Sequence, residues 1–156
     1  MDKSDSKKTD DKKAKSVEDE TRIVLGFDSV VINGEKITVS EFGFTQELDA
    51  LSIAEPIIKC LADMYLDGKD PSMLDIEVVF TKHKDAMLGL LSISTGKPID
   101  WFNTLKGKHV SPLFLTFWGM NSHFFTQRIA SLYIMGHPDL LRKANDQSDS
   151  AKPSLP

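Results

Sequence analysis

The window from Leu113 to Met135 constrains the fold of this chain more than any other segment. It is mostly apolar and aromatic, but it also holds the polar residues Asn121, His123, Gln127 and Arg128. A stretch this long and apolar forms a helix either across a membrane or inside a protein core. A central arginine costs about 2.5–3.5 kcal/mol on insertion into a bilayer. The window therefore predicts a long helix in the core of a soluble protein, and no membrane span.

This helix is expected to start at Ser111-Pro112 and to end at Gly136, since proline suits a first turn and glycine a C-terminus. Three- and four-residue spacing builds one broad apolar face from Phe114, Phe117, Trp118, Asn121, Phe124, Phe125, Arg128, Ile129 and Leu132. We expect most of these rings to be buried. Asn121 needs hydrogen-bond partners within the face, and it can set the register of packing. Arg128 is expected to pair with an acidic residue or helix carbonyls, with its stem on the aromatic rings.

A β-hairpin is expected near the start of the ordered region. Ile23, Leu25 and Phe27 alternate with Arg22, Val24 and Gly26, and a second short run extends from Lys36 to Val39. Asn33-Gly34 lies between the two runs, and both of these residue types tolerate the positive φ of a tight turn. A two-stranded hairpin is not stable alone, so it must lie against helices.

The middle of the chain predicts several helices. The first starts near Thr45 as a cap, has Leu48, Leu51, Ile58, Leu61 and Tyr65 near one face, and ends at Gly68. Pro56 should kink it or break it in two. A second helical region opens at Asp70-Pro71 and stops at Thr95-Gly96, with a possible division at Lys82–Asp85. A short helix from Ile99 to Leu105 carries Trp101, and Lys106–Lys108 is a loop.

Together these elements predict a mostly α fold (α+β), with an N-terminal hairpin packed on a bundle of about four to five helices. Residues 1–20 hold six lysines and seven acidic residues. They cannot bury enough surface to fold, so we expect a disordered charged arm. The Ser-, Asp- and Pro-rich segment 142–156 is expected to be disordered as well. A single domain at 21–141 remains.

Catalytic patterns are missing from the sequence. The four histidines have no metal-binding spacing, and there is no nucleophile elbow, phosphate loop or dinucleotide turn. Cys60 is the only cysteine, which excludes an internal disulfide and suits a reducing compartment. A net charge of -4 argues against nucleic acid as a partner. We expect a non-enzymatic protein without cofactor or metal. His123 is expected to be an ordinary core residue and not a ligand. No signal peptide is expected either.

One ordered set of features points to a known family. A leucine-rich helix closes in Ser94–Pro98, Asp100-Trp101 follows, and the long helix then carries Phe117-Trp118, Asn121, Phe124-Phe125 and Arg128. Over about residues 23–135, this order resembles the small tail assembly chaperones of long-tailed bacteriophages. The positions that match the family pattern are Leu90, Leu91, Thr95, Gly96, Trp101, Trp118, Asn121, Phe124, Phe125 and Arg128. The segments 37–42 and 44–48 match as the strand and the first helix.

The resemblance implies a specific function. Such a chaperone binds the tape-measure protein, a long helical chain that sets tail length, and keeps it soluble in the host cell cytoplasm until the tail tube polymerises around it. Several copies per partner chain are then expected, and the possible partner-binding residues are Trp101, Phe117, Trp118, Asn121, Phe124, Phe125 and Arg128. Two alternatives stay open: a different helical protein-interaction module, such as a phage or bacterial regulator, and a minor structural virion protein. Burial in the core is the competing interpretation of the aromatic face.

Overall fold

A computed structural model of the chain describes residues 27–137, with the side chain of Phe27 left out. The arms at 1–20 and 142–156 that we predicted to be disordered lie outside the described residues. So do the outermost parts of the predicted domain, residues 21–26 and 138–141. Residues 23–26, which make up most of the predicted first strand, are also outside this range.

The hairpin consists of β1 (Phe27–Ile32) and β2 (Glu35–Ser40), which pair antiparallel with Ile32 opposite Glu35. Asn33 and Gly34 form the predicted turn, with φ values of 52° and 82°. Two consecutive positive φ angles define the turn type whose twist matches that of the strands. Ile32, Ile37 and Val39 are buried against the helices, which supplies the support that an isolated hairpin lacks.

In the part of the chain that the structure describes, five α-helices follow the hairpin, and a 3-10 turn at Gly107–His109 precedes the last one. They are α1 (Phe44–Leu66), α2 (Met73–Lys82), α3 (Lys84–Thr95), α4 (Ile99–Phe102) and α5 (Val110–Gly136). The mostly α architecture with an N-terminal hairpin is therefore confirmed. Within residues 27–137, no helix combines the length and the apolar character that crossing a membrane requires.

Helix α1 differs from the prediction at its start, and of the two outcomes predicted at Pro56 the break does not occur. Its N-cap is Gly43, whose N–H donates to Gln46 Oε1 at 2.9 Å, so Thr45 belongs to the first turn and is not the cap. The helix also runs through Pro56 without dividing in two. Pro56 lies on the exposed side, while Ala54, Ile57 and Ile58 beside it are buried. Packing of these neighbours outweighs the one amide donor that proline removes.

The buried face of α1 is also shifted from the predicted one. It consists of Ala50, Ala54, Ile57, Ile58, Leu61 and Ala62. Leu48 and Leu51, which we placed with Ile58 and Leu61, are 60% and 40% exposed. Three of these six residues are alanines, which allow the helices to pack closely. Gly89 of α3 also lies close to α1, since an added Cβ there would be 3.3 Å from Ile53 Cγ2, a tight contact.

The remaining boundaries follow the predicted stop signals more closely. The division near Lys82–Asp85 occurs at His83, and Gly96 ends α3 with φ at 68°. The N-cap of α2 is Ser72, bonded to Asp75, in place of the predicted Asp70-Pro71. Helix α4 ends at Phe102, three residues before the predicted end.

Phe80 of α2 lies at the centre of an aromatic core. Its ring makes edge-on contacts with Phe114, Phe117 and Phe125 at centroid distances of 5.1, 6.1 and 5.1 Å. Phe42, just after the hairpin, packs against Phe117 and Phe124 at 5.9 and 5.4 Å. Helix α5 therefore contacts both the hairpin side and the helical side of the molecule, as its broad apolar face predicted.

Candidate functional site

Asn121 joins three parts of the fold. Its Oδ1 accepts the backbone N–H of Phe42 at 2.9 Å, and its Nδ2 lies 3.1 Å from the carbonyl oxygen of Ser40. Ser94, near the end of α3, donates its hydroxyl to the same carbonyl at 2.6 Å and lies 3.3 Å from Asn121 Nδ2. Asn121 thus holds the exit of the hairpin and the end of α3 against α5, which is the registering contact that the sequence predicted.

The phenylalanines of the predicted set are part of the core. Phe117, Phe124 and Phe125 are buried, and Phe125 contacts Phe124 edge-on at 5.0 Å. Trp118 is half-buried and stacks on Phe125 at 5.5 Å. Leu90 and Leu91, from the family pattern, are buried as well. A partner bound to this folded state can touch the exposed edge of Trp118, while the three phenylalanine rings support it from within.

Arg128 lies at the boundary between this core and the surface. Its Nη2 is 3.3 Å from Glu47 Oε2 of α1, and its guanidinium lies 5.2 Å from the ring centroid of Phe124. Both groups of the ion pair are about one-third exposed, so the pair contributes modestly to stability. Its position matters more: the pairing with an acidic residue that we predicted connects α5 to the first turn of α1.

Trp101 is separate from the other predicted residues. It packs on Phe102 at 5.2 Å, and Lys97 Nζ lies 5.2 Å above its ring. Lys97 also pairs with Glu35 of β2 at 2.7 Å. Trp101 therefore lies in the short helix α4, just after α3 and next to the tip of the hairpin. The structure brings the other six predicted residues together on α5 and leaves Trp101 outside their cluster.

An open apolar groove lies beside Arg128, between α1 and α5. Its volume is about 440 Å³. The residues that line it include Leu48, Leu51, Ile58, Arg128 and Leu132. The sequence prediction missed it, because it counted Leu48 and Leu51 among the packed residues of α1. Helical spacing shows which residues share a face, but it does not show where the covering neighbours end.

The ionisable groups at this groove form surface pairs. Lys59 donates to Glu55 Oε1 at 2.6 Å, and this hydrogen bond and positive charge lower the pKa of Glu55. Glu55 is an anion at neutral pH in any case, and its lowered pKa extends the ion pair with Lys59 to more acidic pH. Across residues 27–137, no group of three or more His, Cys, Asp or Glu side chains is placed to hold a metal ion. The chemistry available at the groove is therefore apolar contact with charged residues at its rim.

Comparison with known proteins adds one family. Residues 22–154 match the model of a family of unknown function, DUF6631. No curated protein and no solved structure matches the chain.

Proposed function

This chain belongs to the DUF6631 family of unknown function, and we propose that it is a tail assembly chaperone of a long-tailed bacteriophage. In this role it binds the tape-measure protein and keeps it soluble until the tail tube polymerises around it. The proposal starts from the order of the leucine-rich helix, the Thr95-Gly96 turn, Trp101 and the Asn121, Phe124-Phe125 and Arg128 signature.

One structural feature supports this proposal above the others. Arg128, the last residue of the signature, forms part of the wall of an open apolar groove. Its neighbours in the signature, Asn121 and Phe125, are buried and hold α5 against the rest of the fold. A helix-in-groove binder needs this combination of a rigid support and an uncovered apolar channel.

The physics of the task fits a small helical domain. An unassembled tape-measure protein exposes long apolar stripes, and such stripes aggregate in water. A chaperone that covers them needs neither a catalytic group nor a nucleotide, because the growing tube itself displaces it. We propose that the protein acts in the host cell cytoplasm without a cofactor. Modest affinity at each site allows release, and several copies on one partner chain compensate for it.

Co-expression tests the proposal directly. The full chain is produced together with the tape-measure protein of its own genome, and the soluble fraction and co-purification of the partner are measured. We expect both to rise severalfold over a control with an unrelated helical protein of similar size, with or without ATP. If the tape-measure protein stays insoluble beside the intact chain, or if its solubility depends on ATP, the proposed function is wrong.

The same preparation separates the two alternatives. A structural virion protein would be found in purified phage particles at a fixed copy number, whereas a chaperone would be absent from them. A different interaction module would leave the tape-measure protein insoluble and bind another partner. The exposed leucines of the groove are compatible with all three roles, so the roles are distinguished by which partner the protein binds.

A further inference from the structure

The core-facing side of α5 is covered along only part of its length. Phe117, Asn121 and Phe124 are buried on this side. Arg128 and Leu132 continue the same three- and four-residue spacing, but they are partly exposed. Met135, one turn further, is 75% exposed. The surface that forms the core at one end of α5 therefore becomes open surface at the other.

Helix α1 provides an apolar wall opposite this open part of α5. Leu48 and Leu51 line the groove, and the buried Ile58 also borders it. Phe44, one turn before Leu48, is 81% exposed. Phe44, Leu48 and Leu51 follow the spacing of one helical face, so they form a continuous apolar stripe. An amphipathic helix that lay in the groove would cover this stripe and extend the core.

The charge of α1 indicates what kind of helix fits. Helix α1 itself holds four acidic residues and one lysine, and Glu41 and Asp67 add two more acidic residues next to its ends. Asp49, Asp63 and Asp67 are exposed, and helical spacing places them on the solvent-facing flank of α1, about 60–100° around the helix from Leu48. The single lysine, Lys59, is paired with Glu55, and Arg128 is paired with Glu47. The flank is therefore negative and attracts a positively charged partner.

We infer that the groove between α1 and α5 binds a basic amphipathic helix. Its apolar side lies on Leu48, Leu51 and Leu132, and its lysines or arginines face the acidic flank of α1. This inference rests on the proposed function for the natural source of the helix, the tape-measure protein. The recognition itself depends only on the apolar groove and the charge beside it.

A model peptide tests the groove without the natural partner. A labelled Leu/Lys amphipathic peptide of about 18 residues spans about 27 Å as a helix. Its binding to the full chain is measured by fluorescence anisotropy. A peptide with the same composition in scrambled order, and a Leu/Glu peptide with the same apolar pattern, are the comparisons. We expect the Leu/Lys peptide to bind at least tenfold more tightly than either.

Matched variants of the chain locate the site. The double variant Leu48→Ser/Leu51→Ser should weaken peptide binding at least tenfold, whereas Leu115→Ser, at a leucine 53% exposed on another face of α5, should leave it unchanged. Asp49→Lys/Asp63→Lys should weaken binding and flatten its salt dependence. Asp85→Lys/Asp100→Lys makes the same change of net charge at exposed residues elsewhere and should have at most a twofold effect.

Three results would overturn the inference. Binding that survives the double leucine variant places the peptide elsewhere, and equal binding of the Leu/Glu peptide removes the role of the acidic flank. A wild-type dimer that the leucine variant converts to a monomer, seen by light scattering, assigns the groove to a second copy.

Co-expression with the tape-measure protein separates this inference from the proposed function. Loss of solubilisation in Leu48→Ser/Leu51→Ser but not in Leu115→Ser supports both. If the leucine variant solubilises the partner as well as wild type does, the groove is the wrong site while the function stands. If wild type fails to solubilise the partner, the function is wrong, and the peptide measurements still decide what the groove binds.

Discussion

Asn121 makes a hydrogen bond with each end of its side-chain amide, and the two partners lie 79 and 81 residues earlier in the sequence, at the exit of the hairpin. Its Oδ1 accepts the N–H of Phe42, while its Nδ2 lies near the carbonyl of Ser40. A buried backbone amide that loses its acceptor costs about 1–3 kcal/mol. The buried polar group therefore distinguishes the native register of α5 from shifted ones, in which Phe42 would be left unpaired.

Replacing Asn121 and Ser94 separately should show how much each side chain contributes to the stability of the fold. Asn121→Leu keeps the volume but orphans the Phe42 amide, so we expect a loss of about 1–3 kcal/mol. Ser94→Ala should cost about 0.5–1.5 kcal/mol, because the Ser40 carbonyl keeps Asn121 as a donor. Urea denaturation measures both, with an unchanged m-value as the sign that only stability has changed. Equal losses, or a larger one for Ser94→Ala, would contradict the assigned roles.

The start of α2 should be sensitive to acid. The Ser72 hydroxyl donates to Asp75 Oδ2 at 2.6 Å and the Ser72 N–H donates at 2.9 Å, and these bonds lower the pKa of Asp75. A lowered carboxyl pKa stabilises the fold above the ordinary aspartate value of about 3.9, and this contribution is lost as pH falls through the lowered pKa. Ser72→Ala should raise the pKa of Asp75 only part of the way, since the backbone donor remains. Carbon-detected NMR titration measures this, and a wild-type pKa at the ordinary value would count against it.

At the scale of elements, glycine has opposite effects at two positions. Gly96 ends α3 with φ at 68°, and an added Cβ there would meet nothing within 4 Å. Gly96→Ala should therefore cost only the backbone strain, about 1–2 kcal/mol. Gly119 lies inside α5 with equally open space, so Gly119→Ala should stabilise by about 0.5–1 kcal/mol. Thermal melts of both variants test this, and a shift of the same sign in both would refute it.

Local chemistry allowed several elements to be predicted from the sequence. Asn33-Gly34 and Gly96 take the positive φ angles that their residue types tolerate, and α5 begins and ends within one residue of the predicted bounds. Features that depend on neighbours were not predictable in this way. The fit of Ala50 and Ala54 in the core and the continuity of α1 through Pro56 come from tertiary packing.

The candidate site was predicted less well for the same reason. Asn121 and the pairing of Arg128 follow from polarity within an apolar face, and both were anticipated. The prediction that His123 lies in the core was wrong, because its position on α5 is exposed and its ring contacts Gln127. The groove could not be predicted from the sequence. Leu48 and Leu51 have the same helical spacing relative to the buried residues of α1 whether or not another element covers them. Only the arrangement of α1 against α5 shows that their side remains open.

At the scale of the whole molecule, the buried rings and the exposed leucines should respond differently to substitution. Phe125 is fully buried and contacts Phe80 and Trp118, so Phe125→Ala should cost about 3–5 kcal/mol. This is a large part of the total stability of a typical domain, and mostly insoluble expression should result. Leu115→Ala, at an exposed site, should change stability by less than about 0.5 kcal/mol. Should Phe125→Ala instead stay fully folded and only lose a partner, its ring is a binding surface in solution.

The proposed role also predicts how many copies bind one partner. A groove of about 440 Å³ can cover only a short piece of a long helical chain, so each copy protects one segment. Modest affinity per segment keeps every copy displaceable by tube subunits, while protection of the whole partner then requires several copies. Removing half of the tape-measure protein should therefore remove about half of the bound copies. Light scattering on the purified complexes measures the mass of each, and the free partner's mass gives the copy number by difference. A single bound copy at both partner lengths would mean recognition of one unique site, and the chain would then act as a specific adaptor that does not coat its partner.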